Sequence, residues 1–194
     1  MLVTCATIVQ SFMLVVTMPL GGISGGTQTI LSYNYGAGNI SRVEQAQKKI
    51  FLLCLAYTGF MTVAAWLGGT WFVRLFTNDP VVTSHALWAL RICTLSLLPL
   101  GIQYEIVDGF TAISQVRFSF SLSFWRKFVY FAALFLLPAA FGAKAAFYAE
   151  PNSDFLGPAV SIVIHMLFMK RVLNERQPIV QTKFSALETS QAGQ

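Results

Sequence analysis

Pro19-Leu20-Gly21-Gly22-Ile23-Ser24-Gly25-Gly26-Thr27-Gln28-Thr29-Ile30-Leu31-Ser32-Tyr33-Asn34-Tyr35-Gly36-Ala37-Gly38-Asn39 sits within an opening stretch, residues 1–41, that holds no charged side chain. Crossing a bilayer takes about 20 apolar residues. The stretch is therefore long enough to span one and then run into a Gly-, Gln- and Asn-rich helix end at a membrane surface. Composition points the same way along the whole chain. Of its 194 residues 55% are apolar and only 11% are charged, against about 25% charged in soluble domains, and the mean hydropathy is +0.62. A soluble domain of this size could bury a core, but it could not cover its surface with so few charges. The fold class is therefore all-α, a polytopic transmembrane helical bundle.

Five charge-poor stretches read as spans, at about 4–33, 50–73, 86–113, 127–143 and 155–170. Together they make residues 1–173 a transmembrane helical region, followed by a polar tail, 174–194, rich in Gln, Ser and Thr. No Rossmann glycine fingerprint, phosphate loop or zinc-type Cys/His spacing occurs, so neither an enzyme nor a resident cofactor is expected. Cys5, Cys54 and Cys93 fall in the spans at unrelated spacings and read as small apolar packing residues.

The basic residues set the expected orientation. With the loop 38–49 inside, Arg42, Lys48 and Lys49 share a side with Arg117, Arg126 and Lys127 and with Lys170, Arg171, Arg176 and Lys183. Only Arg74 and Lys144 face the other way, and Arg91 sits in or near a span. Positive charge collects on the cytoplasmic side, so the N-terminus is expected outside and the tail in the cytoplasm. The net charge of +5 thus reports topology; dispersed around apolar spans, it does not point to nucleic acid. Met1 stands almost directly before the first span without a basic signal-peptide region, and further upstream sequence is expected.

Further strings follow in order: Phe76-Thr77-Asn78-Asp79-Pro80 after the second span, Asp108-Gly109-Phe110-Thr111-Ala112-Ile113-Ser114-Gln115, Leu122-Ser123-Phe124-Trp125-Arg126-Lys127, Leu137-Pro138-Ala139-Ala140-Phe141-Gly142, and Ala149-Glu150-Pro151-Asn152-Ser153-Asp154. With the opening string, they resemble the MATE family of multidrug and toxin extrusion transporters over about residues 1–175. In that family a Pro, spaced glycines, a Gln and a Tyr-Asn-Tyr-Gly-Ala-Gly-Asn-like string close a helix. The resemblance implies part of a two-lobed protein of twelve helices around an alternately open cleft, these five spans standing for the last five. It implies efflux of drugs or organic cations by Na⁺- or H⁺-coupled antiport in the cell membrane, the chain acting as a C-terminal fragment or one piece of a split transporter. Expected partners are the lipid bilayer, small amphiphilic or cationic substrates and a separate chain carrying the missing helices. The alternative is a truncated, non-transporting polypeptide or helix-packing scaffold. A flippase for lipid-linked sugars is disfavoured, since more basic residues would then be expected in the cleft.

The candidate residues carry two readings each. Pro19 with Gly22 and Gly26 can bend a helix and let another approach closely, or touch substrate. Gln28 and Gln103 are amides inside spans and candidates for the pathway, because polar groups facing lipid are costly. Asn34 and Gly36 read as the helix-ending turn, with glycine supplying positive φ. Glu105 and Asp108 lie three residues apart on one helix face, where an acidic side chain costs at least ~2.5–3.5 kcal/mol at the bilayer centre. They could hold Na⁺ (Asp108 above all) or share a proton; otherwise they are solvated at the inner end or paired with Arg117. Arg126 reads as a snorkelling anchor. Pro138 belongs to the motif near the fourth span's outer end, and Asp154 reads as a helix cap in the outer loop that also holds Glu150. His85 reads as interfacial, and His165 as a packed neutral side chain.

Overall fold

The computed structural model describes residues 2–175. The tail beyond residue 175, including Arg176 and Lys183 of the charge argument, lies outside the described residues. Helix α1 runs Leu2–Gly36 and α2 runs Ile40–Arg74, 35 residues each. At 1.5 Å per residue each is about 50 Å long, more than the hydrocarbon core requires. Between them the chain turns at Gly38, which has φ of +75°, a left-handed conformation that glycine adopts freely. Pro19 sits inside α1 without ending it.

The expected third span, 86–113, is a broken rod. Helix α3 (Pro80–Thr94) begins with Asp79 as its cap, Oδ1 accepting from the Val81 amide at 2.8 Å. Helix α4 (Leu97–Ala112) follows at an angle of 44°. Pro99 explains the break. Its ring excludes the carbonyl of the residue four positions earlier, Leu95, from a helical bond. At the corner the Ser96 hydroxyl donates to the Cys93 carbonyl at 2.8 Å.

Helix α5 (Val116–Phe141) starts well before the expected 127, which places Arg126 and Lys127 inside the helix. After Gly142 a 3₁₀ turn (Ala143–Tyr148) leads into α6 (Ala149–Ile164), a π-helical segment (His165–Met169) and further helix to residue 175. The expected outer loop holding Glu150 and Asp154 is therefore helix. Tyr148 occupies the α6 cap position without a side-chain hydrogen bond, so Asp154 does not cap.

Four helical stretches are long and apolar enough to cross a membrane, and the bent α3–α4 pair makes a fifth. Helix α4 runs through the middle, packed on α1, α2, α5 and α6. Its Leu97, Leu100, Ile106 and Phe110 are buried, joining a cluster with α1 and α3 at one end and another with α2 at the other. Such proximity needs small residues. A Cβ on Gly101 would lie 2.8 Å from Thr58 Cγ2, and one on Gly157 2.5 Å from Gln103 Oε1. Helix α5 buries only Leu122 and Ala133, and turns Phe120, Phe124, Phe128, Phe131 and Phe135 outward, as suits a lipid-facing wall.

Candidate functional site

Two polar clusters lie within this apolar bundle, one on each side of α4. The first grows from a stripe on α2, where Val43, Gln47, Ile50 and Cys54 recur at helical spacing and are all buried. A glutamine in such a stripe brings an amide to the α4 interface. There Glu105 is 3% exposed, and Gly109 leaves room for both: a Cβ at that position would lie 3.0 Å from Gln47 Nε2 and 3.8 Å from Glu105 Oε1. Neither of those two atoms has a hydrogen-bond partner among the described residues. His165, edge-on to Phe110, adds a third unpartnered buried atom, Nδ1. These side chains line one open groove of about 1030 Å³ between α2, α4 and the end of α6, walled by Phe51, Ile102, Ile106, Met166 and Met169. Glu44, Lys48 and Lys170 complete the charged part of its lining.

Asp108, the carboxylate weighted most for Na⁺, is half-buried one turn further along α4. Neither it nor Glu105 pairs with Arg117 or any other cation among the described residues. Their shared sequence spacing does not give them shared surroundings, because only Glu105 is enclosed between helices.

The second cluster joins α5, α6 and the α3–α4 corner. Arg126 Nη1 donates to Asp154 Oδ1 at 2.9 Å, the side chains being 22% and 1% exposed. Ser96 Oγ lies 3.4 Å from Asp154 Oδ2, and Ser153 Oγ lies 3.4 Å from Oδ1. Arg126 is thus a helix-to-helix tie, where a snorkelling anchor was expected. Its neighbour Gln103 donates to the Leu122 carbonyl at 3.5 Å, while Oε1 stays unpartnered above Gly157. Nearer the other end of α6, Glu150 accepts from Gln10 of α1 at 3.1 Å.

The remaining candidates do not converge on either cluster. Gly22 and Gly26 are exposed, and nothing lies within 4 Å of a Cβ on either. Gln28 is half-buried on α1. Asn34 donates to the Ile30 carbonyl within its own helix at 2.8 Å, Gly36 ends α1, and Pro138 is one turn before the end of α5. His85 Nδ1 donates to the Val81 carbonyl at 2.9 Å, and its ring approaches Lys144.

Residues 2–136, more than half of the chain, match the MatE family model. The chain belongs to the MatE family. Among curated relatives it is similar to the multidrug export protein MepA of Staphylococcus aureus strain N315, 21% identical over 160 residues. It is also similar to the protein of the same name from Staphylococcus haemolyticus strain JCSC1435, 26% identical over 163 residues. Those alignments cover 82% and 84% of this chain but only 35% and 36% of the relatives, so the chain spans about a third of their length. No solved structure gives a significant match. In this MatE-family chain, a multi-pass membrane protein, both buried carboxylates Glu105 and Asp154 sit inside helices read as spans. Asp154 has its counter-charge; among the described residues Glu105 has none.

Proposed function

We propose that the chain forms part of one lobe of a multidrug exporter that couples efflux of amphiphilic or cationic compounds to inward flow of Na⁺ or H⁺, and is not an enzyme. The observation that carries this is a family match across residues 2–136 joined to an unpaired carboxylate, Glu105, buried within a span. Intramembrane acids are expensive, and where they persist they serve pathways for ions or substrate. Relatives named as multidrug export proteins support the substrate class. The basic loops support a cytoplasmic C-terminus in the cell membrane. The alignment covers only 35% of such a relative, so transport requires the remaining helices, in the same polypeptide or a partner.

The test is a chimera in which residues 2–175 replace the matching third of a MepA-type exporter. Gradient-driven dye export by membrane vesicles is expected from the chimera and not from this chain alone. A chimera that reaches the membrane in normal amount and exports nothing would favour the scaffold reading. Robust export by the isolated chain would contradict the reading of the chain as part of one lobe.

A further inference from the structure

Three features meet in the groove between α2, α4 and the end of α6. Gln47 and Glu105 are each more than nine-tenths buried yet keep an unpartnered polar atom, and His165 contributes a third. The wall opposite α4 is the π-helical segment His165–Met169, with His165, Met166 and Met169 all lining the cavity. A π-bulge locally widens a helix and recurs at functional sites. Finally, the groove is open and large enough, at about 1030 Å³, to admit water to the carboxylate.

The donor set decides what such a site holds. A hard cation takes several oxygen ligands, from carboxylates, carbonyls or water. Around Glu105 the groove offers one amide oxygen, from Gln47, with amide and imidazole nitrogens, two thioether sulfurs and the isoleucines Ile102 and Ile106, too few oxygens for a hard cation. A second carboxylate, Glu44, is on the groove lining but lies on an exposed face of α2. That set suits a proton, which needs one basic oxygen and a polar neighbour to accept its hydrogen bond.

We infer that Glu105 is a reversible protonation site selective for H⁺ over Na⁺, with Gln47 and His165 as the residues that position it. The step is a simple transfer: a proton from water in the groove forms an O–H bond on the Glu105 carboxylate, and leaves by the same route. The neutral acid donates to Gln47 Oε1 and allows the groove to close dry; the carboxylate holds it wet. The charged and titratable groups around it come from three helices, and Tyr35 of α1, Tyr57 of α2 and Tyr104 of α4 pack on the adjoining core. On the groove lining α2 presents Glu44 and Lys48, and the end of α6 presents His165 and Lys170; Cys54 of α2 and Asp108 of α4 lie near Glu105 beside it. Helix α1 carries no charged residue, and the arginine of α5 nearest the core, Arg126, is taken up by Asp154. The consequence for coupling rests on the exporter reading; the protonation itself is a property of this chain.

Infrared difference spectra of the full chain in nanodiscs, acid minus alkaline, test it without any transport measurement. A protonated-carboxyl band is expected that Glu105→Gln removes, Asp108→Asn leaves, and exchange of K⁺ for Na⁺ does not shift. His165→Gln should change the proton affinity of that band about tenfold, while retaining it. Should Glu105→Gln fail to fold, Glu105→Asp keeps a carboxyl but shortens its reach, and the band should move. A band unaffected by both Glu105 variants overturns the inference, as does one whose midpoint follows the Na⁺ concentration. Loss of export in the chimera with the titration intact would count against the exporter reading alone.

Discussion

Removing Arg126 should damage the bundle more than removing Asp154, and removing both should damage it less than either. The asymmetry follows from burial. Asp154 is 1% exposed and Arg126 22% exposed, so Arg126→Met strands a carboxylate that has no route to water. Asp154→Asn leaves a long side chain that can swing its head outward. Breaking a buried pair from one side costs about 3–5 kcal/mol, whereas replacing the whole pair with apolar groups is close to neutral. We therefore expect about 4 kcal/mol for Arg126→Met, about 2–3 kcal/mol for Asp154→Asn, and within about 1 kcal/mol of the native value for Arg126→Met with Asp154→Leu. The assay is reversible unfolding of the chain in mixed micelles by increasing denaturing detergent, followed by circular dichroism. Additive single variants, with a coupling below about 1 kcal/mol, are the behaviour of an exposed ion pair. That outcome would refute the claim that this tie is buried and holds α5 to α6.

Gly101→Ala should cost about 1–3 kcal/mol in the same assay, because its Cβ would meet Thr58 Cγ2 at 2.8 Å and Oγ1 at 3.0 Å. Adding Thr58→Ala removes both atoms and should restore most of the loss; no rescue would mean that α2 and α4 do not touch there. Cysteines placed at the exposed positions Asn78 and Asn152 should react with an impermeant reagent from outside, and one at Gln45 should not, the native Cys5, Cys54 and Cys93 being buried. Reversed labelling would invert the topology. Pro99→Ala returns an amide to the α3–α4 corner and should straighten the 44° bend, read as a longer distance between spin labels at Val81 and Thr111; an unchanged distance would assign the bend to packing.

The membrane class was legible because long charge-free runs leave little choice of solvent, and the family strings were legible because their order survives along the chain. Helix ends were less so. The α3–α4 break follows from Pro99, yet hydropathy alone runs smoothly through Leu97, Leu98 and Leu100 and reads as one span. Asp154 was misjudged because Glu-Pro-Asn-Ser-Asp looks like a loop, whereas Pro151 in the first turn of a helix needs no amide hydrogen. Its buried stripe with Gly157, Pro158 and Ser161 was the available signal. Gln47 could have been found in the same way, as a polar member of the Val43, Ile50, Cys54 face. Nothing in sequence places His165 and Glu105 on one groove, since that depends on α2, α4 and α6 packing together.

The most direct test of the account is dye export by the chimera carrying Glu105→Gln, compared with Asp108→Asn, under an imposed proton gradient and matched membrane abundance. Glu105→Gln keeps size and hydrogen-bonding capacity while deleting the charge. The account predicts that this variant loses gradient-driven export while Asp108→Asn retains more of it. Undiminished export from Glu105→Gln would contradict the account and place the coupling chemistry elsewhere in the transporter.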